Sequence, residues 1–502
     1  MKNLNLCTDP WLPVRMGSGA CVRMGLEEFY SKAHEISDLI LSAHERISIM
    51  RLLICIVQRA LNGPKDREEW EDCKESIVPN ALVYLQKWRS AFDLLGEDGA
   101  FLQPSGVKAC KSGDWGALSK ISLSSAEGNT PALFDNDAGT ERFVTLSQLA
   151  IDLIAFQNFA PGGTIGVTSW AGVQTGVKSP DSAPSGPCAP ASAIHLFVCG
   201  ECLLDTLWYN LCTIEEITHY RMGMGVPVWE LMPTHMEHED AVKNATTTYL
   251  GRLVPLSRIV KIAMSADKCL TSKGISYPVY SDGSLIYYES TMSVVRDKDN
   301  QLRIVGANID RAMWRNLPAL LHRFSSENKS FACLEEQDLP SHYGIWVGAL
   351  VLDQAKILGT MEDYYEHLDE KYVGVSADKR QAILMGMADY GMKSVKNALL
   401  SYYHNFNSQF DNKKSVFACA EKHYWSWLTL KKRIYINCLG MADDETEIRG
   451  TDRMTWGRII KQAAYRTFDL LVSRNNTRQL AAWARARCVL PTIKQLLNDN
   501  GK

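Results

Sequence analysis

The segment FQNFAPGGTIGVTSWAGVQTGVKSPDSAPSGPCAPAS, Phe156–Ser192, separates the regular hydrophobic patterns before it from those that follow it. Connections within compact domains usually have about 4 to 6 residues, so a segment this long and this poor in apolar periodicity predicts a functional loop or a mobile surface linker. A short amphipathic segment, Leu146–Phe159, leads into it and predicts a rigid base. Glycine allows positive φ angles and a close approach of the backbone to another surface. Five of the glycines in Phe156–Ser192 are Gly162, Gly163, Gly166, Gly172 and Gly176.

The composition is that of a globular protein with a large core. The chain has 502 residues, enough for two or more domains, and its 46% hydrophobic and 22% charged residues are ordinary globular values. Its 14 cysteines are scattered, which indicates reduced core residues rather than disulfide bonds. The sequence shows neither an apolar signal-peptide core nor an uncharged apolar run of about 18 residues, so we expect a cytoplasmic protein that does not enter a membrane.

Charge is distributed unevenly along the chain. Residues 361–502 contain 22 Lys and Arg against 16 Asp and Glu, whereas residues 1–360 contain 32 against 41. From Arg449 to the end, 11 basic residues stand against 3 acidic ones, including Arg474, Arg478, Arg485 and Arg487. This pattern fits either contact with an anionic partner or a solvated helical face. The overall acidity argues against a free-standing, nonspecific DNA binder.

The first 360 residues mix helix and strand patterns. The segment Asn3–Arg15 alternates and then meets two prolines, which predicts an opening strand ended by a rigid turn. A capping box at Ser42–Glu45 precedes apolar residues at helical spacing and predicts a core helix, which Gly63 and the proline after it should end. Strand patterns prevail over Tyr249–Val305. A mixed α/β domain is therefore expected in residues 1–360.

From about residue 361 the pattern becomes helical throughout. Polar breaks separate four long amphipathic segments, which predicts an antiparallel four-helix bundle in residues 361–502 and an α+β fold class for the whole chain. The four segments are Ser376–Phe406, Lys413–Asn437, Arg453–Arg474 and Thr477–Asn498. Pro491 should kink or break the last of them.

Known catalytic motifs are absent from the sequence. It contains no G-x-x-x-x-G-K-[ST], no H-E-x-x-H and no G-x-S-x-G, so we expect a protein that is not an enzyme. Cys199 and Cys202 have the spacing of half a zinc site, but a second pair is missing and we interpret them as two buried thiols. His235, Glu237 and His238 could be metal ligands, or they form a solvated acidic turn.

Nucleic-acid binding is the chemistry that these parts favour. A glycine loop lets backbone amides approach phosphates, and isolated Lys and Gln side chains on hairpins and loops can enter the minor groove. Composition and spacing alone do not identify the function.

Several stretches, in the same order along the chain, resemble the CasA family, the large subunit of the type I-E CRISPR surveillance complex Cascade. The resemblance covers almost the entire chain and rests on its colinearity, because no single motif is diagnostic. The matching stretches are Asn3-Leu4, Asp9–Val14, the helix that ends near Gly63, Phe101–Gln103, Gly106–Ala109, Ala160–Gly162, Asp353–Ala355 and the helical C-terminal third.

The resemblance implies a fold and a role. Members of the family combine a mixed α/β N-terminal domain of unusual fold with a C-terminal four-helix bundle. The implied role is that of a non-catalytic subunit that recognises the protospacer-adjacent motif (PAM) in duplex DNA, helps to open the duplex for pairing with the guide RNA, and recruits a separate helicase-nuclease. The implied partners are the CRISPR RNA and the backbone, small and handle-binding subunits, with no membrane and no cofactor. Some members of the family carry paired Cys motifs suited to zinc, but this chain lacks the matching pairs, so we expect no zinc.

The resemblance also implies site residues. A glycine loop that faces the PAM from the minor groove falls on Gly162, Gly163, Thr164, Ile165 and Gly166, with Thr164 and Ile165 departing from a more glycine-rich pattern. A lysine that enters the groove falls on Lys268, with Lys273 as its competitor. A glutamine wedge at the end of the duplex falls on Gln354, beside Asp353, whose charge would alter the PAM preference. A loop that binds the guide-RNA handle or the backbone subunits falls on Ala132, Leu133, Phe134 and Asp135.

Two other classes of function stay open at this point. A structural scaffold would occupy the same place in a complex without any PAM dependence. A nuclease that uses His235, Glu237 and His238 would require cleavage by the isolated chain with a divalent metal.

Overall fold

The computed structural model describes residues 3–124, 144–163, 165–175, 183–281, 286–296, 299, 301–321, 343–372, 375–406, 410, 412–440, 442–444, 447–448 and 450–498. The chain forms two compact units, each described here by itself. The larger unit runs to Ile309 and resumes over Tyr343–His367, and the helical unit contains the segment that starts at Asp310 and everything from Leu368 onward. The larger unit thus extends to His367, beyond the expected boundary at residue 360. The segment that starts at Asp310 belongs to the helical unit instead.

The larger unit combines nine helices with sixteen short strands within the described residues. Its helices are α1 (Leu26–Ser31), α2 (Ala43–Leu61), α3 (Arg67–Asp72), α4 (Ile77–Trp88), α5 (Leu146–Phe159), α6 (Leu203–Tyr209), α7 (Ile214–His219), α8 (Glu239–Thr247) and α9 (Tyr249–Leu253). Its strands are β1 (Leu12–Met16), β2 (Cys21–Met24), β3 (Ile36–Leu39), β4 (Val107–Ala109), β5 (Gly116–Ala117), β6 (Thr168–Trp170), β7 (Val173–Thr175), β8 (His195–Cys199), β9 (Arg258–Ile262), β10 (Lys268–Lys273), β11 (Tyr280–Ser281), β12 (Ile286–Tyr287), β13 (Val294–Arg296), β14 (Leu302–Ile304), β15 (Tyr343–Asp353) and β16 (Lys356–Leu368).

The strands form small sheets rather than one continuous sheet. Four of them have three strands each, in the orders β2-β1-β3, β4-β6-β7, β5-β10-β9 and β16-β15-β8. The pairs β11-β12 and β13-β14 are separate two-stranded ribbons. Every pair whose register the structure gives is antiparallel. The α+β fold class predicted from the sequence is confirmed.

Helix α2 is the central element of the larger unit, and its prediction is confirmed. The Ser42 N–H donates to Glu45 Oε2 at 2.9 Å, which completes the predicted capping box. All residues from Ala43 to Gln58 except Arg46 are buried, because α4, α5, α9 and β15 all pack against the helix. The helix ends at Leu61 and is capped by Asn62, whose φ of 51° is left-handed, directly before Gly63.

A buried ionic network joins α2 to α9. Glu289 accepts hydrogen bonds from Arg51 Nη2 at 2.7 Å and from Arg252 Nε at 3.0 Å, and the three charged side chains are at most 6% exposed. Burial alone would raise the pKa of Glu289, but Arg252 and Arg51 together hold it below its usual value. Arg51 also binds Thr291 Oγ1, which lies 2.7 Å from Nδ1 of His195. The network therefore connects α2, α9 and β8.

Two local predictions about the larger unit are wrong, and one segment has more regular structure than its sequence indicated. The opening strand begins at Leu12 and not at Asn3, because the residues before it form a turn in which Asp9 Oδ2 accepts the Asn5 N–H at 2.8 Å. Helix α5 is buried on all sides from Leu149 to Phe159, so it is a core helix rather than an amphipathic one. The long glycine-rich segment that follows α5 contains the hairpin β6–β7, whose turn places two consecutive residues at positive φ.

The helical unit contains α10 (Leu317–Leu321), α11 (Val375–Phe406), α12 (Lys413–Thr429), α13 (Lys432–Gly440), α14 (Gly450–Leu471), α15 (Thr477–Arg487) and α16 (Ile493–Asn498), with a short hairpin of β17 (Ala442–Asp444) and β18 (Glu447–Ile448). Helix α11 packs against α14 and α15, and α12 packs against α14. Trp314, Tyr435 and Trp456 form its aromatic core, with ring centroids 4.9 to 6.3 Å apart.

The prediction that the C-terminal part of the chain is helical is confirmed, but two of the four predicted segments are each divided into two helices. The second predicted segment is two helices, α12 and α13, that meet near Leu430. The last predicted segment is also two helices, and Pro491 lies between them as expected. Across the described part of the chain, none of the helices combines the length and the apolar composition of a membrane span.

Candidate nucleic-acid interface

The glycine loop, residues 160–166, follows directly from the buried end of α5. Gly163 has a φ of 128°, a conformation that side chains with a Cβ rarely adopt. Its N–H donates to the Ala183 carbonyl at 3.0 Å, and the Ala183 N–H donates back at 3.1 Å. Gly162 is half-buried, and a Cβ there would lie 3.3 Å from the Ala183 oxygen. The loop is therefore held by residues that lie about twenty positions further along the chain.

A buried arginine supports the same loop from beneath. Arg258, which is 1% exposed, donates from Nη2 to the carbonyls of Pro161 and Pro184, both at 2.8 Å, and from Nη1 to the Ser257 carbonyl at 2.7 Å. Burial lowers the pKa of Arg258 to about 10, so the side chain is still charged at neutral pH. No signal in the sequence pointed to this residue.

The end of α5 is tied to β9 next to this arginine. The side chain of Gln157 donates to the Arg258 carbonyl at 2.9 Å and accepts the Arg258 N–H at 2.9 Å. Ser257 Oγ donates to the Gln157 carbonyl at 2.6 Å. The glycine loop therefore starts from a base that is fixed to β9 by both backbone and side chains.

The hairpin of β9 and β10 carries the predicted lysine. Lys268 begins β10 and is exposed, with its Nζ 5.6 Å from the centre of the Trp115 ring. Its competitor Lys273 ends the same strand, is half-buried and pairs with Arg258. The glycine loop runs close to this strand, because a Cβ at Gly166 would lie 2.6 Å from the Thr271 carbonyl oxygen.

Three buried hydroxyls connect the end of the glycine loop to β10. Thr168 Oγ1 lies 2.9 Å from Thr175 Oγ1 and 2.6 Å from Ser272 Oγ. Thr175 Oγ1 and Ser272 Oγ are 3.1 Å apart. Each hydroxyl can both donate and accept, so the three satisfy one another within the core. This hydroxyl cluster fixes β6 and β7 to the strand that carries Lys268.

The predicted wedge lies at the tip of the hairpin β15–β16. Asp353 ends β15, Lys356 begins β16, and Gln354 and Ala355 form the exposed connection between them. Gln354 has a φ of 54°, a left-handed conformation that costs a residue with a side chain on the order of 1 kcal/mol. A Cβ at Gly163 would lie 3.9 Å from the Ala355 Cβ, so the tip lies beside the glycine loop.

The base of this tip is held by a serine. The Leu352 N–H donates to Ser192 Oγ at 2.9 Å, and the same hydroxyl lies 3.3 Å from the Leu352 carbonyl. Ser192 and the residue before it both have positive φ angles, 52° and 53°. Ser192 is the last residue of the glycine-rich segment Phe156–Ser192, so the end of that segment is hydrogen-bonded to the wedge hairpin.

The structure thus brings together three predicted elements that are far apart in sequence: the glycine loop, the lysine hairpin and the wedge. Ile165 is half-buried within the loop. Thr164 lies outside the described residues, as do the four positions of the predicted guide-handle loop, Ala132, Leu133, Phe134 and Asp135.

The candidate metal ligands are not assembled into a site in the described residues, where no group of three His, Cys, Asp or Glu side chains could hold an ion. The rings of His235 and His238 stack with their centres 5.7 Å apart, and Thr234 Oγ1 lies 2.9 Å from His235 Nδ1. Cys199 is buried and Cys202 is half-buried, so only the first fits the prediction of two buried thiols.

The basic C-terminal arginines divide into two pairs. Arg487 binds Asp469 at 3.2 Å and lies over the rings of Tyr465 and Trp483, and Arg474 also lies over Trp483. The other two, Arg478 and Arg485, are exposed, as is Arg474. Part of the basic pattern therefore serves the packing of α15 on α14.

A buried carboxyl in α5 makes the larger unit sensitive to pH. Burial raises the pKa of Asp152 to about 7, with nearby Glu45 raising it further, although the Gln148 amide donates to Asp152 at 3.0 Å. Between about pH 4 and 7 the unfolded chain has lost this proton while the folded chain keeps it, so the free energy of unfolding falls as pH rises and levels off above 7. A rise of the Asp152 pKa from 3.8 to about 7 corresponds to a change in the free energy of unfolding on the order of 4 kcal/mol.

Replacing Asp152 with asparagine is expected to remove most of the decrease in the free energy of unfolding between about pH 4 and 7. The variant should melt at a higher temperature than the wild type at pH 8, and the two should converge near pH 4. Thermal unfolding across this pH range measures the difference, with exposed Asp240→Asn as the control that keeps the wild-type profile. A parallel pH profile for Asp152→Asn and the wild type would contradict the assignment.

Comparison with known proteins identifies relatives over most of the chain. A family model described as CRISPR-associated protein Cse1 matches residues 5–467. The curated CRISPR-associated protein CasA/Cse1 of Thermus thermophilus is 28% identical over 387 residues, which are 73% of this chain and 71% of that protein.

Solved structures share the fold. The crystal structure of Thermus thermophilus CasA has a TM-score of 0.74 at 22% identity and covers 99% of this chain and 100% of its own. Thermobifida fusca Cse1 has a TM-score of 0.78 at 17% identity, covering 99% and 98%. A chain of a CRISPR RNA-guided surveillance complex has a TM-score of 0.71 at 15% identity, covering 97% and 99%.

Proposed function

Because the chain belongs to the family of CRISPR-associated protein Cse1, also called CasA, we propose that it is the large, non-catalytic subunit of a type I-E RNA-guided surveillance complex. Its role is to recognise the PAM in double-stranded DNA from the minor groove, to promote opening of the duplex for pairing with the guide RNA, and to recruit the helicase-nuclease. Its partners are the guide RNA and the other subunits of the complex in the cytoplasm, with residues 132–135 contacting the guide handle or the backbone subunits.

The observation that carries this proposal is the meeting of the three elements. The glycine loop lies beside the tip that carries Gln354, near Ala355, and its end at Gly166 approaches Thr271 of β10, the strand that starts with Lys268. A minor groove about 6 Å wide admits a glycine backbone and one extended side chain more readily than a helix. One surface can therefore contact the groove and the first base step of the target together.

Minor-groove reading also explains why recognition would tolerate several PAM sequences. A·T and T·A present the same acceptors there, and only G·C adds a donor. A single lysine and a set of backbone amides therefore distinguish classes of base pair rather than each pair. The exposed carboxylate of Asp353 repels phosphate, so it shifts the preference relative to a neutral residue at that position.

The test is a gel-shift titration of the guide-loaded complex, with and without this subunit, against target duplexes that differ only in the PAM. PAM discrimination that requires the subunit supports the proposal. Binding that is indifferent to both the subunit and the PAM contradicts it and leaves the structural scaffold as the function.

Replacing Lys268 with alanine is expected to weaken binding to PAM-containing duplex by about tenfold, which corresponds to about 1.4 kcal/mol, without affecting assembly of the complex. Lys273→Ala is the matched control, since the same strand carries it but its side chain is half-buried. The gel shift gives both affinities. Wild-type affinity for Lys268→Ala together with a loss for Lys273→Ala would transfer the role to Lys273, and no loss for either would remove the lysine from the site.

A further inference from the structure

We propose that Arg258 is a positioning residue that holds the glycine loop at a fixed place relative to Lys268, so that PAM discrimination depends on a side chain that does not touch DNA. This inference rests on the proposed PAM-reading function. It starts from a simple geometric fact: one guanidinium nitrogen, Nη2, binds the carbonyls of Pro161 and Pro184, which lie on the two chain segments that form the loop and its support.

The environment of Arg258 differs from that of the other buried arginines in the larger unit. Arg51 and Arg252 share the carboxylate of Glu289, whereas the hydrogen bonds from the Arg258 side chain all go to backbone carbonyls. Among the residues that the structure describes, no carboxylate pairs with it. Keeping an uncompensated charge in the core is costly, so a role in packing alone would be served as well by an apolar side chain of similar volume.

The backbone of Arg258 links the loop to the lysine hairpin. Arg258 is the first residue of β9, which pairs along its length with β10, from Arg258 opposite Lys273 to Ile262 opposite Cys269. Lys268 begins β10, next to this last pair. The guanidinium therefore holds the loop, and the strand to which it belongs holds the lysine.

The arrangement also explains why an arginine is required. Nη2 of Arg258 binds the carbonyls of Pro161 and Pro184, which belong to two different segments, each at 2.8 Å. Nη1 binds a third carbonyl, that of Ser257. A planar guanidinium provides these donors in a fixed fork, whereas a lysine provides one shorter ammonium. Loss of the fork would let the two segments separate while the rest of β9 stayed paired.

The experiment compares Arg258→Met and Arg258→Lys with the wild type in the guide-loaded complex. Each complex is titrated with PAM duplex, with duplex of altered PAM, and with a single-stranded target that pairs with the guide without any duplex PAM. We expect Arg258→Met to lower the affinity for PAM duplex by about tenfold, as for the loss of a charged buried hydrogen-bond group, and to leave single-strand binding and assembly unchanged. Arg258→Lys should recover part of the loss.

Hydrogen exchange gives a second readout that stays informative for a partly loosened variant. The amides of Gly163, Ala183 and Gly186, which are bonded within the loop and its support, should exchange faster in Arg258→Met, whereas the β1–β2 amides should not change.

Three results would overturn the inference. These are wild-type discrimination in both variants, an equal loss of single-strand binding or assembly, or full recovery by Arg258→Lys with unchanged loop exchange. The wild type and Lys268→Ala separate this inference from the proposed function. If the wild-type complex shows no PAM dependence, the proposed function itself fails. If the wild-type complex shows PAM dependence and Lys268→Ala weakens binding, but the Arg258 variants behave like the wild type, the positioning role alone fails.

Discussion

Glu289→Ala is expected to cost the larger unit about 3 to 5 kcal/mol of folding free energy, because it leaves Arg51 and Arg252 in the core without their shared carboxylate. The carboxylate oxygens of Glu289 each bind a different arginine, so one truncation removes two ion pairs. Differential scanning calorimetry or denaturant unfolding of the full chain measures the loss.

Two companion variants separate this network from an ordinary ion pair. Glu289→Gln keeps the shape and the acceptor oxygen but not the charge, so it should fall between the wild type and the alanine variant. Glu28→Ala removes an exposed pair with Lys32 at 2.8 Å and should change unfolding little. A small effect of Glu289→Ala would contradict the prediction and mean that the two arginines find other partners.

Gln354→Gly is expected to reduce duplex opening next to the PAM by about 10- to 100-fold, since unstacking a base step costs a few kcal/mol that a wedge must offset. Binding to the PAM duplex should fall much less, because the glycine loop and Lys268 are unchanged. Permanganate reactivity of thymines beside the PAM reports opening, and a gel shift reports binding.

Glycine is the informative substitution at this position. Gln354 has a φ of 54°, which glycine adopts without strain, so the variant removes the side chain while favouring the same turn. Loss of opening then cannot be attributed to backbone strain at the tip. Gln354→Asn tolerates the same backbone and keeps a shorter amide, so it should retain part of the activity. Equal losses in the two assays would rule out the wedge.

Local signals in the sequence were enough to predict some elements. The capping box at Ser42 and the apolar spacing after it predict α2, because a helix start and a buried face are both properties of neighbouring residues. Pro491 similarly predicts the break between α15 and α16. The candidate positions Lys268 and Gln354 came instead from resemblance to a family. The two hairpins that carry them come close to the glycine loop through approaches between distant parts of the chain.

Other features depend on contacts that a linear pattern does not contain. A charged residue such as Arg258 within an apolar strand pattern indicates an exposed position, whereas its burial depends on carbonyls from Pro161 and Pro184. The all-round burial of α5 depends on packing against α2, among other elements, and its own period suggested one exposed face. The strands β6 and β7 have three residues each, too few for alternation to be recognised.

The cluster of Thr168, Thr175 and Ser272 has a kinetic consequence. These hydroxyls join β6 and β7, which follow the glycine loop, to the strand that carries Lys268, so under the proposed function a duplex would meet these strands already assembled and without a prior ordering step. Association rates should therefore be nearly the same for matching and altered PAM sequences. Discrimination should reside in how long each duplex stays bound, so single-molecule residence times would reveal it more clearly than rates of capture.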